Sequence, residues 1–91
     1  MKSYFLENVA SIEAARGALR RELPGQEDPW ILWAADSDPL AYFEIHDELD
    51  GAKILHVMAN ISGRHHFRDA EVLVVLCRLQ RSAGGAITGD S

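Results

Sequence analysis

The densest set of chemically capable residues is Ser62-Gly63-Arg64-His65-His66-Phe67-Arg68. Its pattern reads as a loop between a strand end and a helix start, where free backbone N–H groups and the positive end of the helix dipole attract phosphate or carboxylate. Arg64 and Arg68 bring fixed charge, and His65 adds charge when protonated, so Gly63, Arg64, His65 and Arg68 are the candidate ligands of a small anion. Against this, the stretch has one glycine, and Asp69, placed to cap the following helix, sets negative charge where the anion would sit. A second set is Glu44 and His56, which the strand register below brings face to face. A carboxylate that orients an imidazole is a unit of acid-base catalysis. No Ser or Cys falls beside them, so a cross-strand ion pair is expected and no catalytic residue is assigned. His46, His56, His65 and His66 lack both the four-residue helical spacing and the paired cysteines of common metal sites, so no metal and no cofactor is expected. Cys77 falls in mid-helix, away from the dipole end that would activate a thiol.

Hydrophobic periodicity defines the elements that position these residues. Residues 2–6 suit an opening strand. Asn8 is the expected cap of a helix whose apolar stripe is Val9, Ile12, Ala15, Leu19 and Leu23, ended by Leu23-Pro24-Gly25. Trp30 to Ala35, Leu40 to Asp47 and Lys53 to Ile61 are rich in branched and aromatic residues and read as an antiparallel meander. A three-residue loop Leu49-Asp50-Gly51, with glycine left-handed, sets Phe43 opposite Val57, Ile45 opposite Leu55 and Ala41 opposite Ala59. Glu44 then meets His56, and Tyr42 meets Met58. A four-residue loop Asp36-Ser37-Asp38-Pro39 sets Leu32 beside Phe43 and Trp30 beside Ile45. A second helix follows Asp69 with the stripe Val72, Val75, Leu76, Leu79 and Ala83, and stops at Gly84-Gly85. Ala86-Ile87-Thr88 adds a short edge strand, and residues 89–91 fray.

The order is strand, helix, three strands, helix, strand. It gives a single two-layer α+β domain over residues 1–88: a mainly antiparallel sheet with two helices packed on one face. The opposite face then carries Trp33, Tyr42, Glu44, His46, His56 and Met58, with Ile31, Ile54 and Asn60 beside them. Aromatic and aliphatic residues on an uncovered sheet face mark a surface for a partner. The expected partner is a second copy in a homodimer, since two-fold dimers are the commonest assembly, or another protein.

The run from Ile31 to Ile87, three antiparallel strands, a loop, a helix and a strand, resembles the core layout of GNAT-type acyltransferases. In that family the loop after the third of these strands carries Arg/Gln-x-x-Gly-x-Gly/Ala and cradles the cofactor pyrophosphate. The stretch here, Gly63-Arg64-His65-His66-Phe67-Arg68, has neither later glycine. The resemblance therefore implies the layout and a phosphate-binding role for residues 62–68, without a coenzyme A site.

The 91 residues are 47% hydrophobic and 25% charged, enough apolar material for one core. The net charge of −5 argues against nucleic acid and against an anionic membrane surface. No apolar stretch approaches a membrane span or a signal peptide, and the single cysteine suits a reducing compartment, so a cytoplasmic location is expected. The charge is dipolar: nine acids and no Lys or Arg lie from Glu22 to Asp50, whereas Arg64 to Arg81 holds four arginines against Asp69 and Glu71. Such a field steers a partner of complementary sign.

Overall fold

The computed structural model describes residues 2–26, 29–48 and 51–89. Five strands, β1 (Lys2–Glu7), β2 (Trp30–Ala35), β3 (Asp38–His46), β4 (His56–Ile61) and β5 (Ala86–Gly89), form one sheet in the order β2-β3-β4-β1-β5. Every neighbouring pair is antiparallel. Helices α1 (Ile12–Glu22) and α2 (Asp69–Ala83) cover one side, which makes the two-layer α+β domain with element order β-α-β-β-β-α-β. β4 and β5 run in the same direction with β1 between them, so α2 is the crossover of a split β-α-β unit.

The core lies between the helices and the inner sheet face. Leu6, Phe43, Val57, Ala59 and Ile61 from the strands meet Ala15, Ala18 and Leu19 of α1 and Val72, Val75, Leu76, Leu79 and Ala83 of α2. The α2 stripe is the one its spacing predicts. Burying each large side chain contributes about 1.5–3 kcal/mol. In α1 the stripe differs: Ile12 is exposed, and Ala18 takes its share of the contact. The cap also moves. Ser11 accepts a hydrogen bond from Ala14 N–H at 3.0 Å, whereas Asn8 sits at φ +61° and turns the corner out of β1. Asn tolerates that left-handed geometry better than most residues, and the later start leaves Val9 in front of the helix, bonded to the Leu55 carbonyl.

Both hairpins pair two residues away from the expected registers. Phe43 faces Ala59, Ile45 faces Val57 and Ala41 faces Ile61. The connection from β3 to β4 is longer than a three-residue loop because Leu55 leaves the ladder to accept the Val9 N–H at 3.2 Å, and Ile54 N–H bonds Ala52. Gly51 is left-handed as expected, at φ +80°, while Leu49 and Asp50 of that turn lie outside the described residues. In the first hairpin Trp30 faces Phe43 and Leu32 faces Ala41 across a two-residue turn, Asp36-Ser37, with Ser37 at φ +59°. Pro39 is therefore in β3, opposite Trp33, at a register irregularity where its missing N–H breaks no regular ladder. A slip of two residues keeps every side chain on its expected face.

At the far edge, Gly84 ends α2 with its N–H on Gln80 O, and Gly85 carries the chain against β1. A Cβ on Gly85 would stand 2.4 Å from the Glu7 carbonyl oxygen, so only glycine fits this approach. Gly89, expected in the frayed tail, closes β5 opposite Tyr4; Asp90 and Ser91 lie outside the described residues.

Candidate functional site

Among the described residues no element covers the outer sheet face. Strand alternation builds it in cross-strand rows: Ile31, Tyr42, Asn60 and Ser3; then Glu44, Met58, Phe5 and Thr88; then His46, His56, Glu7 and Ala86. Trp33, 48% exposed, and Tyr42, 36% exposed, stand at the β2 side, where Trp33 also borders a shallow cleft of about 480 Å³ at the hairpin tip. Ser3 donates to Asn60 Oδ1 at 2.6 Å, and Thr88 donates to Glu7 Oε2 at 2.5 Å. None of the rows contains Lys or Arg, so the face carries two carboxylates and two imidazoles.

Glu44 does not meet His56. It pairs with Met58, and its carboxylate lies 3.9 Å from His46 Nε2 on its own strand. His46 is the residue opposite His56, a consequence of the two-residue register difference. His56 is only 2% exposed although it belongs to the outer face. His46 stacks on it at 5.7 Å between ring centroids, Phe5 meets it edge-on at the same distance, and its Nδ1 lies 2.8 Å from Ile54 O. The carbonyl accepts the Nδ1 proton, which satisfies that buried nitrogen, and the register keeps Glu44 beside His46 instead. No set of three or more metal-ligating side chains occurs among the described residues.

The stretch expected as a loop, Ser62 to Arg68, is wound over Gly63–Arg68 into two 3-10 turns that meet in a kink at His65 (φ −123°, ψ 22°), with Ser62 as the cap. Its cations are already paired. Arg64 binds Asp38, which also accepts from His65 Nε2 at 3.2 Å, and Arg68 makes two bonds to Glu71, at 2.6 and 2.9 Å. The hydrogen bond from His65, with Arg64 beside it, holds the Asp38 carboxyl below its ordinary range, and Arg68 does the same for Glu71. A Cβ on Gly63 would meet open space. Asp69 does not cap α2: it accepts from Lys2 Nζ and Tyr4 Oη, each at 2.7 Å, and Arg68 occupies the cap position without a side-chain bond. An anion arriving here would meet Arg64 and Arg68 with Asp38 and Glu71 already bound to them. The arrangement fastens the β4 to α2 connection to β3 and β1.

Cys77, expected as packing or helix flank, is exposed. It lies with Ala70, Leu73 and Val74 on the outer side of α2, an apolar strip the sequence reading did not separate from the buried stripe. Comparison with protein-family models, curated proteins and solved structures gives no match.

Proposed function

We propose that the chain is a small non-catalytic binding module that associates with a second copy of itself through the outer sheet face. The observation that carries this reading is that Trp33, Tyr42, Met58 and Phe5 lie on a five-stranded face without a covering element or a Lys or Arg. The face is self-complementary under a two-fold axis, because Glu44 of one copy can lie against His46 of the other in place of a missing basic side chain. Five strands about 4.8 Å apart and six residues long at about 3.3 Å give a plan area of roughly 480 Å² per copy. That is at the small end of interfaces, so the dimer is weak and concentration-dependent. The free thiol Cys77 supports a cytoplasmic setting.

The test is a concentration series from about 10 μM to 1 mM followed by NMR. The amides of Phe5, Tyr42 and Met58 should shift together in the native chain and stay fixed in Met58→Lys. A face whose signals ignore concentration overturns the reading.

A further inference from the structure

The third row of the outer face holds two histidines in different surroundings. The His46 side chain is 42% exposed, and its Nε2 lies 3.9 Å from the Glu44 carboxylate. His56, opposite it on β4, is 2% exposed and donates its Nδ1 proton to Ile54 O. Imidazole is the side chain that takes up a proton between about pH 8 and 5. The two rings stack 5.7 Å apart, so charging both at once would set like charges in contact. A first proton therefore goes to His46, which keeps water and a carboxylate beside it.

The charged groups around His46 are acidic. Its own segment carries Glu44, Asp47 and Glu48, and beyond His56 stands Glu7 of β1, whose carboxylate accepts from Thr88 of β5. Phe5 and Met58 add no charge, and β2 begins at Trp30, opposite Phe43, short of His46. The nearest cation in sequence is Lys53, which lies in the connection ahead of β4 and outside the rows. With both imidazoles neutral, each copy brings Glu7 and Glu44 to the sheet-face contact without a cation in the rows to meet them. Two-fold pairing doubles that charge within one interface, and like-charge juxtaposition opposes association.

We infer that protonation of His46 is the switch of the sheet-face dimer: the copies associate as the pH falls from about 8 to 6 and separate as it rises. The inference rests on the sheet-face reading and adds its regulation. A charged His46 lies between Glu44 of its own copy and Glu44 of the other, which turns two repulsive faces into complementary ones. By linkage, an association that is stronger for protonated copies takes up protons, so its affinity rises as the pH falls. The fold is intact across this window. Asp38, Asp69 and Glu71, whose ion pairs fasten the β4 to α2 connection, have carboxyls held below the ordinary range and stay ionised there. His65 and His66 belong to the Gly63–Arg68 turns, outside the rows.

Sedimentation equilibrium at pH 8, 7 and 6, at constant ionic strength, reads the dissociation constant of the dimer. In the native chain it should fall by about fivefold or more from pH 8 to pH 6. His46→Gln removes the proton site and should keep the weak pH 8 value throughout. His46→Lys supplies a fixed charge and should reach the tight value already at pH 8. Both replace an exposed side chain, and the urea midpoint of each variant checks its fold. A native dissociation constant that is the same at pH 8 and pH 6, or a pH dependence that survives His46→Gln, overturns the inference and leaves the sheet-face reading standing. No association at any of the three pH values up to roughly 1 mM overturns both.

Discussion

The His56 ring lies beneath His46, 5.7 Å between centroids with planes 24° apart, and this pairing explains how an imidazole on an uncovered sheet face is nearly inaccessible to water. Its Nδ1 is joined to the Ile54 carbonyl, so the ring supports the bend that takes Leu55 out of β4. His56→Ala leaves that carbonyl without its partner and opens a space under His46 and Phe5. A loss of about 1–3 kcal/mol is expected, against less than about 1 kcal/mol for the exposed His46→Ala, measured by urea denaturation.

Asn8 is the expected cap of α1 and Ser11 the observed one, and their geometries assign different jobs. Ser11→Ala should cost about 1 kcal/mol, because Ala14 N–H loses its acceptor. Asn8→Gly should cost little or nothing, since glycine accepts φ +61° more readily than asparagine does. Equal losses in thermal denaturation would show that Asn8 also caps α1.

Gly85→Ala should destabilise the chain by more than about 2 kcal/mol and release β5, because its Cβ collides with backbone oxygen where no side chain can swing away. Hydrogen exchange would show it first in the β1 and β5 amides, with α1 and the β2–β3 hairpin still protected.

Acid should unfold the protein through Asp38, Asp69 and Glu71. Each carboxyl is held below its unfolded value in the native state: Asp38 by the His65 hydrogen bond and Arg64, Asp69 by Lys2 and Tyr4, Glu71 by Arg68. The unfolded chain therefore binds more protons in acid, so the stabilisation is fully present above about pH 5 and falls as the pH drops through about 4 toward the native values. Asp69→Asn should be less stable at pH 7 and show a shallower loss between pH 5 and 2. An unchanged slope in urea midpoints would place the acid sensitivity elsewhere.

Gln26 spans the free edge of β2, its side-chain amide donating to Ile31 O at 2.6 Å and accepting from Ile31 N–H at 3.1 Å, as a neighbouring strand would. Gln26→Ala returns both groups to the edge. Faster aggregation on heating is expected, with stability lower by about 1 kcal/mol. Unchanged aggregation with unchanged stability would show that the Trp30 to Ala35 edge needs no cover.

Periodicity carried the fold a long way. The buried stripe of α2, the two faces of the meander and the stop at Gly84-Gly85 all follow from side-chain spacing, because burial itself selects that spacing. Registers did not follow, since they depend on Leu55 leaving the ladder toward Val9 and on Ser37 turning left-handed without glycine, both settled by contacts distant in sequence or by local strain. The outer-face residues were legible as a set for the same reason: a two-residue slip preserves the face while changing each partner. The pairing of Arg64 with Asp38 was not legible, because it closes the open end of the β3–β4 hairpin between residues 26 apart in sequence, and the register of that hairpin was itself not settled. The outer apolar strip of α2 had a signal in the sequence, the spacing of Ala70, Leu73, Val74 and Cys77, hidden by its overlap with the stronger core stripe.

The place of β1 between β4 and β5 has a kinetic consequence. Both of its ladders join it to strands at the other end of the chain, so the consecutive strands β2, β3 and β4 can pair locally while the β4-β1-β5 half of the sheet waits for distant contacts. Closing such distant contacts is slow, which places folding nearer milliseconds to seconds than microseconds, with the β2-β3-β4 meander able to form ahead of the rest. Until β1 docks, the inner edge of β4 stays unpaired, and that interval is when the chain is most open to pairing with the wrong neighbour.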